Sequence, residues 1–207
     1  MNSAPVIVFL AVLIYGLIHS VMASLSAKSK AQHWFGLLGR RMYRLAYNVL
    51  AVISLVPVAV LPFLLPDRHL YTVPIIFLPL TLGLQLFSVL VVLAGIRQTG
   101  TAYFLGLAQL QKDAQDSEGE LQHSGIYRYI RHPLYTGGLG LIWFFPYMTA
   151  NLLALFAGFT LYIMLGIIFE ERKLLHEFGD AYLRYRRQTP MLLPGLKLLQ
   201  RHNDSGN

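Results

Sequence analysis

The sequence predicts an all-α, polytopic membrane protein of about five transmembrane helices, the last two forming a helical hairpin, with a C-terminal amphipathic helix. Two features of composition lead there. Only 13% of the 207 residues are charged, whereas soluble domains average about 25%. The apolar residues also come in runs of about 20, the length that crosses a hydrocarbon core. A third feature is the placement of the basic residues, which fall between those runs.

The first run is Pro5 to Leu25. Its start carries no Lys or Arg up to Ile18, so it lacks the positive leader of a secretory signal and reads as a retained span. The second runs from Leu45 to Leu65 and stops at Pro66-Asp67-Arg68; the third covers Val73 to Ile96. From Pro133 to Phe169 comes one apolar stretch of 37 residues, interrupted by Pro146 and Asn151. As one helix it would measure about 55 Å, too long for one crossing, so a tight hairpin turning at Tyr147 to Asn151 is expected. Leu174, Leu175, Phe178, Tyr182 and Tyr185 then recur at spacings of one, three, four and three. That pattern predicts an amphipathic helix against the membrane face, ended by Thr189-Pro190.

With five spans, sixteen of the seventeen basic residues lie on one side; Arg68 is the exception. With four spans the C-terminal basic residues would change sides. The positive-inside rule therefore favours five spans, an external N-terminus and a cytoplasmic C-terminus, in what reads as a bacterial inner-membrane protein. The formal charge of +7 is then an attraction to anionic lipid. No nucleic-acid motif accompanies it, so nucleic acid is not an expected partner. The absence of cysteine excludes disulfides, a thiolate nucleophile and cysteine-based metal sites. Lys112 to Glu120 reads as an acidic surface loop, and His202 to Asn207 as a disordered tail. The chain is expected to be one domain over 1–207, with three N-terminal spans in 1–96, a core in 97–195 and a tail in 196–207. Nothing in the sequence sets an oligomeric state.

Chemistry concentrates in two blocks. The first is Gly-Ile-Tyr-x3-Arg-His-Pro-x-Tyr-x-Gly over 125–137. Pro133 suits the first position of a helix, where its missing N–H costs nothing. The free amides and positive dipole end would then sit beside Arg131 and His132, a ready site for the carboxylate of an amino-acid-like cofactor. Tyr135 and Gly138 share a face, and Gly137, Gly138 and Gly140 admit a close neighbour. Headgroup anchoring and helix packing account for the same residues one at a time. The second block is Glu170-Glu171 at the end of the last span. The helix dipole disfavours acids there. Glu170 would point back toward the start of span four, where its carboxylate could hold an ammonium or ribose hydroxyls. Within the apolar runs His19, Asn48 and Gln85 stand out, as substrate-side groups or as helix–helix hydrogen-bonding groups.

Taken together, the first block and Glu-Glu-x2-Leu-x2-Glu-Phe-Gly-x2-Tyr-x2-Tyr-x4-Pro over 170–190 resemble the core of the isoprenylcysteine carboxyl methyltransferase and phospholipid methyltransferase families. The resemblance covers about Gly119 to Pro194. It implies an S-adenosyl-L-methionine site built by Leu121, Tyr127, Arg131, His132, Pro133, Leu134, Tyr135 and Glu170. His19-Ser-Val-Met-Ala-Ser24 followed by Arg44-Leu-Ala-Tyr47-Asn48 is similar to methanethiol S-methyltransferases and NnrU-like proteins. In the eukaryotic isoprenylcysteine enzymes an Arg about four residues before the cofactor Glu faces the prenylcysteine carboxylate; Gly166 stands there. The implied function is methyl transfer to a small apolar or amphipathic acceptor (carboxylate, thiol or amine) arriving through the bilayer. An amine or hydroxyl acceptor would need a base, for which His19, or a tyrosine, is the candidate, His19 being the candidate catalytic residue. No metal is required. Two other readings remain: an NADPH-dependent membrane reductase of the sterol-reductase type, and a non-catalytic membrane protein of the same fold.

Overall fold

The computed structural model describes residues 3–107, 110 and 121–194. The acidic segment at 112–120 and the tail at 202–207 lie outside them. Six helices follow in chain order: α1 (Ala4–Ala23), α2 (Leu25–Leu64), α3 (Leu78–Thr99), α4 (Thr101–Leu105), α5 (Pro133–Trp143) and α6 (Ala150–Gln188). Two short strands, β1 (His69–Thr72) and β2 (Tyr147–Thr149), pair antiparallel. Four helical segments, Ala4–Ala23, Ser26–Leu64, Ile75–Thr99 and Ala150–Gln188, are long and apolar enough to cross a membrane. Most of their large apolar side chains are exposed, Ile75 and Leu64 at 83% and 73%, as lipid-facing residues should be.

The expected fifth span takes a different form. The stretch read as a helical hairpin is an 11-residue helix, a three-residue strand and then the start of a long helix. At about 16 Å, α5 covers roughly half a hydrocarbon core. Pro146 follows its end, and its carbonyl accepts from the Val73 amide at 2.8 Å, so the chain here is spent on strand pairing. The expected amphipathic segment lies in the last part of α6, which reaches Gln188 across a break at Gly179, whose φ of 49° only glycine adopts without strain. Tyr182 and Tyr185 are buried in protein rather than laid on a membrane face.

The chain divides into two compact units. In the first, 1–74, 100–116 and 146–162, α1 and α2 meet across Ser24, whose hydroxyl accepts from the Ala27 amide at 3.2 Å and caps α2. At 40 residues α2 would measure about 60 Å, twice a hydrocarbon core, and it breaks at Gly36, φ 57°. Gly16 of α1 takes the ring of Tyr162, and Gly158 of α6 takes Val12. Small residues thus let these helices approach closely. Asn151, fully buried, holds the loop after α2: its Nδ2 donates to the carbonyls of Pro62 at 3.1 Å and Pro66 at 3.3 Å. Pro66 has no N–H to give the Pro62 carbonyl four residues back, and Asn151 supplies the missing donor. Asp67 accepts from the amides of Arg68 at 2.7 Å and Asn151 at 3.0 Å.

The second unit, 75–99, 117–145 and 163–207, is built on α3 and α5 packed antiparallel. Leu134 fits against Gly95, and Gly137 and Gly140 both lie against Ser88. Gln85 of α3 donates to the Leu141 carbonyl at 3.1 Å, which satisfies an intramembrane amide across a helix pair.

Candidate functional site

The start of α5 carries a buried ionic cluster, assembled from three pieces of chain in the second unit. The segment Thr189 to Leu192 runs beside residues 131–136. The Arg131 amide donates to the Pro190 carbonyl at 2.9 Å, the His132 amide to Met191 at 3.2 Å, and the Thr136 hydroxyl to Leu192 at 2.8 Å. One of the amides expected to be free at this helix start, that of His132, is therefore already satisfied.

The Arg131 side chain is 6% exposed. Its Nε donates to Glu171 Oε1 at 2.9 Å and its Nη2 donates to the same oxygen, while Nη1 donates to the Thr189 carbonyl and, at 3.2 Å, to that of Arg186. All three guanidinium nitrogens are thus engaged. Glu171, 13% exposed, also lies 3.3 Å from His132 Nε2 and 3.6 Å from Arg186 Nε. Glu170 approaches the other imidazole nitrogen, Nδ1, at 3.6 Å, and its side chain is 43% exposed. His132, 3% exposed, is thereby gripped at both nitrogens by successive carboxylates, one nearly enclosed and one open.

The Tyr135 ring lies 5.6 Å from that of His132, and its hydroxyl interacts with Glu170. A side chain at Gly166 would meet the same hydroxyl, at 3.7 Å from its Cβ. Tyr127 shares a 3.0 Å hydrogen bond with the Thr99 hydroxyl, and its carbonyl accepts from Tyr185 at 2.6 Å. Burial pushes the Tyr127 phenol up from its ordinary value, the Thr99 bond opposes this and the Glu170 charge adds to it. Tyr127 therefore stays neutral and works as a hydrogen-bonding group.

Of the residues singled out from sequence, Arg131, His132, Tyr135 and Glu170 come together, with Tyr127 within reach of the Glu170 charge. Pro133 and Leu134 turn toward Gly95 of α3. Leu121 lies apart, lining a cavity of about 1290 Å³ with Arg128, Phe178, Arg184 and Gln188. Sequence reasoning missed how central Glu171 is and the part of Thr189 and Arg186. The signal for Glu171 was present, since a buried Arg131 needs a carboxylate and Glu171 adjoins Glu170.

His19 belongs to the first unit and forms its own cluster. Its Nε2 lies 2.6 Å from the Tyr47 hydroxyl, and its Nδ1 bonds the hydroxyl of Tyr162. Tyr15 stands 5.7 Å away, ring to ring, and the Tyr162 ring is perpendicular to the imidazole. A neutral imidazole donates at one nitrogen and accepts at the other. One tyrosine therefore accepts from the ring while the other donates to it. Asn48, next to Tyr47, is half-buried on α2.

Four span-length apolar helices and a buried Arg–His–carboxylate cluster define an α-helical integral membrane protein with a built polar site. The model of the NnrU protein family matches residues 7–196, and the chain belongs to that family. Similar proteins include Methanethiol S-methyltransferase 1 of Bradyrhizobium diazoefficiens, 44% identical over 33% of this chain and 24% of its own length. Methanethiol S-methyltransferase of Mycobacterium tuberculosis is 46% identical over 33% of this chain and 28% of its own. Protein-S-isoprenylcysteine O-methyltransferase of Xenopus laevis is 35% identical over 42% of this chain and 31% of its own. The matched part thus spans about a quarter to a third of these relatives. No solved structure matches.

Proposed function

We propose that this protein is an S-adenosyl-L-methionine-dependent methyltransferase acting on a small apolar or amphipathic acceptor that reaches it through the lipid bilayer. The observation that carries the reading is the His132–Glu170 pair at the start of α5: an enclosed imidazole beside a half-open carboxylate, in a chain whose relatives are named methyltransferases. The residues fit the cofactor. Glu170 has an exposed oxygen edge for an ammonium or for ribose hydroxyls, with the Tyr135 hydroxyl beside it. Arg131 is engaged on every side, so it acts through Glu171 and the backbone, fixing where His132 stands. Tyr127, Pro133 and Leu134 shape the surroundings, and Leu121 belongs to the approach. When bound, the cofactor supplies a methyl group already activated by its sulfonium, so the protein's task is alignment. Gly166 itself supplies no cation beside Tyr135 for a prenylcysteine carboxylate, and the similarity to relatives named methanethiol S-methyltransferases favours a thiol.

On this reading the chain crosses the membrane five times, the fourth crossing made by α5 and the extended residues after it and the fifth by α6. The C-terminus and the cofactor site then face the cytoplasm, and a reporter fused after Gly195 is active there. Calorimetry on purified protein tests the cofactor: S-adenosyl-L-methionine should bind and NADPH should not. NADPH binding alone would make the protein a reductase, and binding of neither a non-catalytic relative. Labelled-methyl transfer to a small thiol, a prenylcysteine analogue and phosphatidylethanolamine then identifies the acceptor, with the thiol expected to react fastest.

A further inference from the structure

A second cavity in the α3–α5 unit is separate from the His132–Glu170 pair. Its volume is about 1150 Å³, at or above the upper end of the roughly 300–1,000 Å³ typical of small-molecule pockets. At about 100° per residue, Tyr135 and Gly138 lie on one side of α5, while Thr136, Gly140 and Trp143 lie on the other. The cavity is lined by that second group.

Its two ends differ in chemistry. Trp143 of α5, Phe144 just after it, and Leu84 and Phe87 of α3 line one end. Arg186 and Arg187 line the other, where the segment beginning at Pro190 is bonded to Arg131. The ten-residue rise from Pro133 to Trp143 separates the ends by about 15 Å. Both arginines are exposed. Among the described residues that line the cavity, Arg131, Arg186 and Arg187 carry charge and none is a carboxylate, so this end is cationic. An apolar trough of this length, inside a unit that carries a membrane span and ends on two arginines, complements a long apolar chain attached to an anionic head.

We infer that this cavity is a binding site for an anionic phospholipid, with its acyl chain along Leu84, Phe87 and Trp143 and its phosphate on Arg186 and Arg187. The site takes neither His132 nor Glu170, although Arg131 and Arg186, which line it, also reach Glu171 of the ionic cluster.

Trp143 reports on it directly. The chain has two tryptophans, so Trp34→Phe leaves Trp143 as the sole tryptophan, excited selectively over the tyrosines at the red edge of the absorption band. This protein is reconstituted in phosphatidylcholine vesicles containing either chain-brominated phosphatidylglycerol or chain-brominated phosphatidylcholine. The anionic lipid should quench Trp143 with a midpoint at several-fold lower mole fraction. Arg186→Gln with Arg187→Gln should bring the two midpoints together, whereas the equal charge loss in Lys28→Gln with Lys30→Gln should leave them apart. Should the arginine pair fail to fold, Arg187→Gln alone carries the test, with part of the shift. Equal midpoints at the outset would overturn the inference. So would loss of the preference in the lysine variant, which would mean general attraction, or its loss to added inorganic phosphate, which would mean a free-anion site. No arm uses S-adenosyl-L-methionine, so failure here leaves the cofactor reading standing.

Discussion

The two histidine clusters solve opposite problems. His132 stands among full charges, with two carboxylates and an arginine around it, and the cluster is held by backbone carbonyls from a distant stretch of chain. His19 stands among phenols on apolar helices, hydrogen-bonded to the Tyr47 and Tyr162 hydroxyls. Charge deep in a span is costly, whereas neutral hydrogen-bonding groups that satisfy one another are not. A helix start near the end of the spans tolerates ionic groups, provided each has its counter-charge. Polarity in this protein thus follows place along the helix: ionic and rigidly tied where α5 begins, neutral and mutually satisfied within α1.

The ionic cluster should break hardest. Glu171→Ala leaves Arg131 buried without a counter-charge and should cost about 3 kcal/mol of stability, read as a lower unfolding temperature in detergent. Arg131→Met combined with Glu171→Leu should be less damaging than Glu171→Ala alone, because no charge is then stranded. Additive losses would mean that the pair is not coupled.

The half-open carboxylate should separate from the enclosed one. Glu170→Ala and His132→Ala should each weaken S-adenosyl-L-methionine binding at least tenfold, about 1.4 kcal/mol. Glu170→Ala should do so with little change in unfolding temperature. Normal binding in both variants would remove the cofactor from this cluster.

For the neutral cluster, His19→Gln keeps polar atoms but cannot both donate and accept in the same geometry. Turnover should fall severalfold while cofactor affinity stays unchanged, and Tyr162→Phe should give a milder version. Weaker cofactor binding in His19→Gln would instead make His19 part of the cofactor's surroundings.

The smallest effect belongs to Asp67. Burial alone would raise its pKa, but hydrogen bonds from the Thr149 hydroxyl and the amides of Asn151, Arg68 and Ala150 outweigh this and hold it below the ordinary value. A depressed carboxylate stabilises the folded state above its unfolded pKa, about 3.9, and that contribution is lost as pH falls through the folded value. Amide exchange at Asn151 should therefore quicken in acid, and Asp67→Asn should flatten the dependence.

Residue chemistry along the chain was enough to read an all-helical membrane protein, two of the four span-length helices within a few residues at both ends, the interruption near Tyr147, and the residue types of the site. Apolar run length and the placement of Pro and Arg are local properties, and hydrocarbon selects on them directly. Pairing was not legible in this way. That Asn151 replaces the donor missing at Pro66, that Tyr47 and Tyr162 share His19, and that Glu171 rather than its neighbour takes Arg131 are contacts between residues 28 to 143 positions apart. The fate of the stretch after Pro133 was tertiary as well. Its composition suits two spans, but Tyr147 to Thr149 find strand partners in His69 to Thr72, and Gly137 and Gly140 find Ser88. Hydrophobicity fixes which residues leave water; only partners distant in sequence fix the backbone they adopt once there.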